Sequence, residues 1–134
     1  MKNNICISIS EKPGNFGKII HNAGYEELGL DWVYIPFKIT NLENTIKGIR
    51  ALNIRGCSVS MPFKEKVIPF LDEIDSLAKK IGSVNTIVND DGILKGYNTD
   101  FVGFQKSFKK LHVLKHEKIL ILGSGGVAKS ILVG

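Results

Sequence analysis

Three clusters of polar residues interrupt the apolar pattern of the 134-residue sequence, and their side chains could bind a small polar ligand and react with it. The first cluster is PGNFGKIIHN. The second is SVSMPFKEK, with Ser60 and Lys64. The third combines SVNTIV with GYNTDFVG and supplies Asn85 and Asp100. All three lie where a predicted strand ends or a helix begins, the edge at which open α/β sheets bind ligands. The sequence therefore predicts a ligand site there.

Two of these side chains also have ordinary structural interpretations. Asp100 stands at the start of a phenylalanine-rich helix, where a carboxylate caps or stabilises the first turn. Lys64 taken alone is a common exposed lysine. Because spacing in the sequence does not pair the two residues, the structural and the chemical interpretations both stay open at this point.

A glycine-rich segment, KILILGSGGVAKSILVG, is the second candidate site. Its pattern is G-x-G-x-x-A, and an apolar run precedes it. The candidate cofactor-binding residues are Gly123, Ser124, Gly125, Gly126, Val127 and Ala128. In the dinucleotide fingerprint, backbone N–H groups at the helix start face a pyrophosphate, and a side chain would block the approach. A tight strand-to-helix turn has the same pattern, so both interpretations stay open. The residue that reads the ribose is expected about 20 positions further on.

Short apolar runs alternate with amphipathic segments, and these elements must position both sites. Strands are predicted at NICISIS, WVYIPF, GCSVS and KILILG. Asp91 and Gly92 between two short apolar runs predict a hairpin. The alternation favours an α/β fold with a mainly parallel sheet and flanking helices.

Each predicted helix has a face that should be buried. For the first helix, FGKIIHNAGYEELG, the buried stripe is Ile19, Ile20 and Ala23, and Gly29 ends the helix. A second helix has Thr40 and Glu43 at capping-box spacing, with a buried stripe of Leu42, Ile46, Ile49 and Leu52. Further helices are predicted in MPFKEKVIPFL, in DEIDSLAKKIG up to Gly82, and in DFVGFQKSFKKL, whose core stripe is Phe101, Phe104, Phe108 and Leu111.

Composition excludes several classes of function. The net charge of +5 comes without a dense arginine tract, and the basic stretch at residues 109–118 is interrupted by apolar residues, so no nucleic-acid partner is expected. No run approaches the roughly 20 apolar residues of a membrane span, and no leader is apparent, so the protein is expected to be cytoplasmic. Cys6 and Cys57 are predicted core residues, and no metal-ligand spacing occurs.

The motifs SMPFK, VNTIV and GYNTDFVGF, in this order before the glycine loop, resemble three successive motifs of the shikimate dehydrogenase family. The segment KIIHNAGYEELGLDWVYIPF resembles the first helix and second strand of that family. The resemblance covers nearly the whole chain. It implies a substrate-binding catalytic domain at residues 1–112 and the truncated start of a Rossmann domain for NADP or NAD at residues 113–134.

The resemblance also implies the chemistry. Lys64 and Asp100 would be the catalytic pair, because oxidation of an alcohol needs a group that accepts the hydroxyl proton as hydride leaves. Ser60, which replaces a more usual threonine, and Asn85 would bind ring hydroxyls. The implied reaction converts shikimate and NADP to 3-dehydroshikimate and NADPH, or acts on a related polyol acid such as quinate.

The sequence departs from the family before the first helix. Members that bind shikimate usually carry S-x-S-P there, and the two serines hold the substrate carboxylate. This chain has Asn15 and Gly17 at those places, which is closer to the shikimate dehydrogenase-like subgroup. Asn15 can still donate through its amide and remains a substrate-binding candidate. His21 is interpreted as a residue that packs near the site.

Two functional hypotheses follow from the resemblance. In the first, the chain is the substrate-binding half of a shikimate dehydrogenase-like oxidoreductase, present as a fragment. In the second, it is a non-catalytic truncated remnant that binds a polyol acid. The sequence leaves the choice between NADP and NAD open, and likewise the formation of a homodimer.

Overall fold

A computed structural model describes residues 4–109 and 118–133 of the chain. The strands are β1 (Asn4–Ser10), β2 (Trp32–Lys38), β3 (Gly56–Val59), β4 (Glu73–Ile74), β5 (Thr86–Asp90) and β6 (Ile93–Tyr97). The helices are α1 (Phe16–Glu27), α2 (Leu42–Ala51), α3 (Ser76–Ile81), α4 (Asp100–Lys109) and α5 (Gly126–Leu132), with a 3-10 turn at Ile68–Phe70.

The strands form one mixed sheet in the order β2-β1-β3-β5-β6-β4. Strand β1 pairs in parallel with β2 and β3, and β4 pairs in parallel with β6. Strand β5 runs antiparallel to β3 and β6. The predicted α/β fold with a mainly parallel sheet is confirmed. The predicted hairpin is confirmed too, since Asp91 and Gly92 both adopt the positive φ that a two-residue hairpin turn needs.

The two faces of the sheet differ in chemistry. One face carries the apolar side chains of Ile7, Ile9, Val59 and Ile87, which form a single buried core with α2. The opposite face carries the intervening residues. These include Cys6, Ser8 and Ser58, because successive side chains of a strand point to opposite faces. Cys6 and Cys57 are free and buried, as predicted, and burial raises the pKa of the Cys57 thiol.

Helix α1 does not bury the face that the sequence suggested. Ile19 and Ile20 are 66% and 51% exposed, and Ala23 is exposed as well, so the predicted stripe is wrong. The helix instead turns Asn22 toward β2, where the amide donates to the Tyr34 carbonyl and accepts from the Tyr34 N–H. These two polar contacts fix the orientation of the helix.

Helix α2 begins one residue later than predicted. Asn41 is its cap and accepts a hydrogen bond from the Asn44 N–H, so the expected capping box at Thr40 is wrong. Ile46 and Ile49 are buried as predicted, but Leu52 is 72% exposed. The chain turns at Asn53 with positive φ, which brings Ile54 to the core in its place.

The predicted helix over DEIDSLAKKIG is shorter than expected, because Glu73–Ile74 forms strand β4. Helix α3 starts after Asp75, whose side chain accepts from the Leu77 N–H, and it ends at Gly82 in the left-handed conformation, as predicted.

The three phenylalanines of α4 are only half-buried, although Phe104 and Phe108 contact each other with ring centroids 5.2 Å apart. Leu111 and most of the basic stretch lie outside the described residues.

The predicted strand KILILG is wrong for the part of the chain that the structure describes. Residues 118–125 contain no strand, and Leu120 and Leu122 are 81% and 87% exposed. A strand needs a partner that satisfies its backbone groups, and no described strand pairs with this segment. The helix that the glycine loop was expected to open is present as α5.

Candidate active site

A cleft of about 390 Å³ opens where β1 and β3 reach their carboxyl ends, the edge of the sheet at which the sequence predicted a ligand site. It brings together four of the predicted site residues, namely Ser60, Lys64, Asn85 and Asp100. Other polar side chains along the cleft are Ser8, Ser10, Lys12, Tyr34, Ser58, Thr86 and Thr99. Residues far apart in the sequence therefore share one concave, polar surface.

Lys64 and Asp100 form an ion pair in this cleft. The Lys64 Nζ lies 2.6 Å from Asp100 Oδ2, and the side chains are 15% and 24% exposed. Lys64 comes from the turn after β3, and its carbonyl accepts from the Val84 N–H. Asp100 is the first residue of α4, so it lies in the helix's first turn and in the site at once. The fold therefore brings together two residues whose pairing could not be inferred from their spacing in the sequence.

Asn85 fixes the orientation of the Asp100 carboxylate. Its side-chain Nδ2 donates to Asp100 Oδ1 at 2.8 Å and to Thr99 Oγ1 at 3.0 Å, while its Oδ1 accepts from the Thr99 N–H. Both carboxylate oxygens of Asp100 thus have a donor. The Lys64 ammonium has three donors and uses one on Asp100, so it retains N–H groups for a ligand.

Asn98 is a buried polar residue that sequence reasoning missed. It is 4% exposed, and its Nδ2 donates to the Ser83 carbonyl at 2.9 Å. Its Oδ1 accepts from the Asp100 N–H and from Ser130 Oγ. The available signal was an asparagine two residues before a predicted helix, a residue type that caps helices. Asn98 therefore ties the start of α4 to α5 and to the segment after α3.

Ser8 and Ser10 of β1 and Ser58 of β3, which line the cleft with the predicted Ser60, were missed. Ser8 and Ser10, like Ser58 and Ser60, are separated by two positions, so each pair lies on one face. Ser8 pairs with Ser58, and Ser58 with Thr86 on the neighbouring strand. The signal was the alternation SIS and SVS in strands that otherwise consist of apolar residues.

Asn15 is the one predicted substrate-binding residue that does not line the cleft. It is the exposed N-cap of α1, and its side chain makes no capping hydrogen bond. Gly14, Phe16 and Gly17 of the same segment line the cleft instead. His21 stacks on the Tyr34 ring with centroids 4.4 Å apart, which agrees with its interpretation as a packing residue.

The glycine loop faces a second cavity, of about 500 Å³, opposite Met61 and Pro62. Gly123 has a φ of +116°, and an added Cβ at Gly123 or Gly125 would meet nothing within 4 Å. Gly126 instead lies against α3's C-terminal side, because its Cβ would come within 2.5 Å of Ser83 Oγ. The space beside the first two glycines is therefore open to a ligand.

Lys64 lines this second cavity as well as the polar cleft. Val127 and Ala128 contribute to the cavity, whereas Ser124 does not. Lys129 of α5 pairs with Glu65 at 2.9 Å, next to Lys64 in the sequence. The two cavities therefore meet at the catalytic candidate Lys64.

Within residues 4–109 and 118–133, no group of three or more His, Cys, Asp and Glu side chains could hold a metal ion. None of the helices in the same residues has the length and hydropathy needed to cross a membrane.

Comparison with known proteins finds the sequence profile of the shikimate dehydrogenase substrate binding domain at residues 15–87. The chain is 52% identical over 128 residues to a shikimate dehydrogenase-like protein of Haemophilus influenzae, covering 96% of this chain and 47% of that protein. It is 49% identical to the shikimate dehydrogenase (NADP(+)) of Halothermothrix orenii, covering 84% of this chain and 40% of the other.

Solved structures have the same fold. Shikimate 5-dehydrogenase of Listeria monocytogenes, in complex with shikimate and NAD, superimposes with a TM-score of 0.85 at 35% identity and covers 97% of this chain and 46% of that one. The chain spans about half the length of the curated relatives it matches, or somewhat less.

Proposed function

The chain belongs to the shikimate dehydrogenase family, and we propose that it is the substrate-binding part of an NADP-dependent oxidoreductase that acts on a hydroxylated ring acid such as shikimate or quinate. Residues 1–112 would form the substrate-binding domain, and residues 113–134 would begin the cofactor domain. The observation that carries the proposal is the Lys64–Asp100 pair at 2.6 Å, placed where the polar cleft meets the glycine-loop cavity.

The pair supplies what oxidation of an alcohol requires. The alcohol oxygen must lose its proton as the carbon loses hydride, and the reverse reaction must return a proton to the ketone oxygen. Lys64 offers N–H donors to that oxygen, and Asp100 offers an adjacent proton acceptor. Asn85 holds the carboxylate beside the ammonium, so one arrangement of the two groups would serve both directions of the reaction.

Ser60 would bind another ring hydroxyl, since it lines the cleft beside the pair and its own hydroxyl offers both a donor and an acceptor. Asn85 also lines the cleft, but its two amide N–H groups already bind Asp100 and Thr99, so its contact with a ring hydroxyl stays a prediction of the family resemblance. The role of Asn15 in substrate binding stays a prediction of the family resemblance.

Residues 123–128 would hold the cofactor, for which the open space beside Gly123 and Gly125 is suitable. A bound nicotinamide nucleotide supplies the hydride acceptor. This chain's own contribution is to orient the alcohol, to hold its proton at the Lys64–Asp100 pair and to place the reacting carbon at the junction of the two cavities. The name of the Halothermothrix relative supports NADP as the cofactor.

The test is shikimate-dependent NADP reduction by a protein that carries this chain together with a complete cofactor domain, combined with calorimetry of shikimate binding to the chain itself. We expect both binding and turnover. Binding without turnover in the complete protein would favour the alternative of a non-catalytic binding domain. Absence of binding would refute the substrate class.

A further inference from the structure

Helix α5 contacts the rest of the chain through three buried polar residues, which we call the α5 junction: Ser83, Asn98 and Ser130. Ser83 and Ser130 are 0% exposed and Asn98 is 4% exposed. Asn98 lies between the two serines, since its Nδ2 donates to the Ser83 carbonyl at 2.9 Å and its Oδ1 accepts from Ser130 Oγ at 3.3 Å. The junction therefore connects α5 to the segments that follow α3 and precede α4.

The Ser130 hydroxyl also ties the junction to the glycine loop. It donates to the Gly126 carbonyl at 2.8 Å, so its single proton is shared between that carbonyl and Asn98. Gly126 is the last glycine of the loop and the first residue of α5. The place at which Ser130 meets Asn98 therefore helps to set the position of the loop.

Gly126 packs closely, unlike the other glycines of the loop. A Cβ added at Gly126 would lie 2.5 Å from Ser83 Oγ and 3.6 Å from Lys64 Cδ, whereas Gly123 and Gly125 have nothing within 4 Å. Ser83 is fully buried, and close-packed interiors leave few voids into which a hydroxyl could turn. The missing side chain at Gly126 thus lets α5 approach Ser83 and the aliphatic stem of Lys64.

The junction is connected to the ion pair of the cleft as well. Asn98 Oδ1 accepts from the Asp100 N–H at 3.1 Å, so one amide contacts both the start of α4 and the helix that follows the glycine loop. Hydride transfer needs the two reacting carbons close together and aligned, and a misplacement of about 1 Å can lower the rate about 10²-fold. A contact that joins these two elements can control that distance.

We propose that Gly126 and Ser130 are positioning residues, which dock α5 on Ser83 and Asn98 and so fix the distance between the glycine loop and the ion pair of the cleft. The inference rests on the proposed function and deepens it by giving the glycines different roles. The first two face the open cavity, whereas Gly126 acts through the packing of α5.

The first experiment measures turnover in a protein that carries this chain with a complete cofactor domain. Gly126→Ala should force α5 away from Ser83 and lower kcat about tenfold or more, with the KM for shikimate within about twofold of the wild type. Ser83→Ala removes the atom that the new methyl group would strike. The double variant Gly126→Ala/Ser83→Ala should therefore recover kcat to within about threefold of Ser83→Ala alone.

The second experiment needs no cofactor and measures amide hydrogen exchange of the purified chain by NMR. Gly126→Ala and, separately, Ser130→Ala should speed exchange in α5 about threefold or more, because each weakens the junction, and leave the amides of α2 unchanged. The double variant should regain the slow exchange. Gly48→Ala is the matched control, since a Cβ there meets nothing within 4 Å in α2, and it should leave α5 exchange and kcat unchanged.

Two results would overturn the positioning role while leaving the proposed function in place. One is unchanged kcat and α5 exchange in Gly126→Ala and Ser130→Ala. The other is a loss of kcat in Gly126→Ala that Ser83→Ala does not restore, which would assign Gly126 to direct contact with the cofactor. If the wild type with a complete cofactor domain does not oxidise shikimate, the proposed function fails and the positioning role fails with it.

Discussion

The two faces of the central sheet are built from residues that are neighbours in the sequence, but one face packs into the core and the other lines the polar cleft. Ile9 is fully buried against the core, whereas Ser8 and Ser10 on either side of it line the cleft. Val59 stands in the same way between Ser58 and Ser60. Alternation along a strand thus places a core residue and a cleft residue one position apart. Substitutions one position apart should therefore have effects of different kinds.

The largest effect is expected on the cleft side, from Lys64→Met in a protein with a complete cofactor domain. Removal of a positioned acid–base group should lower kcat/KM by about 10²- to 10⁴-fold, and urea unfolding checks that the variant is still folded. Lys47→Met is the matched control, because Lys47 is an exposed lysine that pairs with Glu43 on the surface of α2. Unchanged turnover in Lys64→Met would contradict the role of the ion pair.

The variants Ile9→Ala and Ser8→Ala test the difference between the core face and the cleft face most clearly. Ile9→Ala leaves a cavity in the core and should cost about 2–5 kcal/mol of unfolding free energy, with the shikimate affinity of the folded protein unchanged. Ser8→Ala should change stability by less than about 0.5 kcal/mol and weaken shikimate binding. Urea unfolding and calorimetry measure the two quantities. If both variants changed the unfolding free energy, or both changed the shikimate affinity, the two faces would not have separate roles.

Asn98→Ala should lower both the stability of the fold and the affinity for shikimate, because Asn98 links the segments that frame the site. The change leaves the buried Ser83 carbonyl and the Asp100 N–H without their partner, which should cost about 1–3 kcal/mol of unfolding free energy. Shikimate affinity should fall as well, because the start of α4 positions Asp100. A variant as stable as the wild type would show that Asn98 is not the link.

The smallest effect is expected at the sheet edge, from Asp72→Asn. Arg50, together with the Leu94 N–H, holds the pKa of Asp72 below its usual value. A lowered pKa in the folded state stabilises the protein above the unfolded pKa of about 3.9, and this stability is lost as pH falls through the folded pKa.

Because the Arg50–Asp72 pair is half-exposed, the deficit of Asp72→Asn at pH 7 should be less than about 1 kcal/mol. Unfolding measured at neutral and acid pH should show the deficit shrink below pH 4. A deficit that is constant with pH would exclude the ionic contribution. Shikimate affinity at pH 7 should equal that of the wild type.

The sequence predicted what depends on local pattern. The hairpin at Asp91 and Gly92 and the end of α3 at Gly82 follow from backbone preferences of single residues, and both are present. The face that α1 turns toward the sheet could not be predicted, because it depends on hydrogen bonds between the Asn22 side chain and the backbone of Tyr34 in β2. Apolar periodicity carries no information about such a contact.

The candidate site was likewise predictable only where it depends on local sequence pattern. The polar clusters at strand ends located the cleft, but the Lys64–Asp100 pairing rests on the fold, which brings the turn after β3 to the start of α4. Tyr34 gave no signal in the sequence, because a tyrosine in an apolar strand looks like a core residue. Its position over Gly17 becomes visible only in three dimensions.

The most direct test of the central claim, that one face of the sheet binds the substrate and the other holds the fold, is an amide NMR titration of the chain with shikimate. We expect shift changes at Ser8, Ser58 and Asp100, together with the Lys64 turn, and small changes at Ile46 and Ile49 of α2. Shifts centred on α2, or no saturable shifts at all, would contradict it.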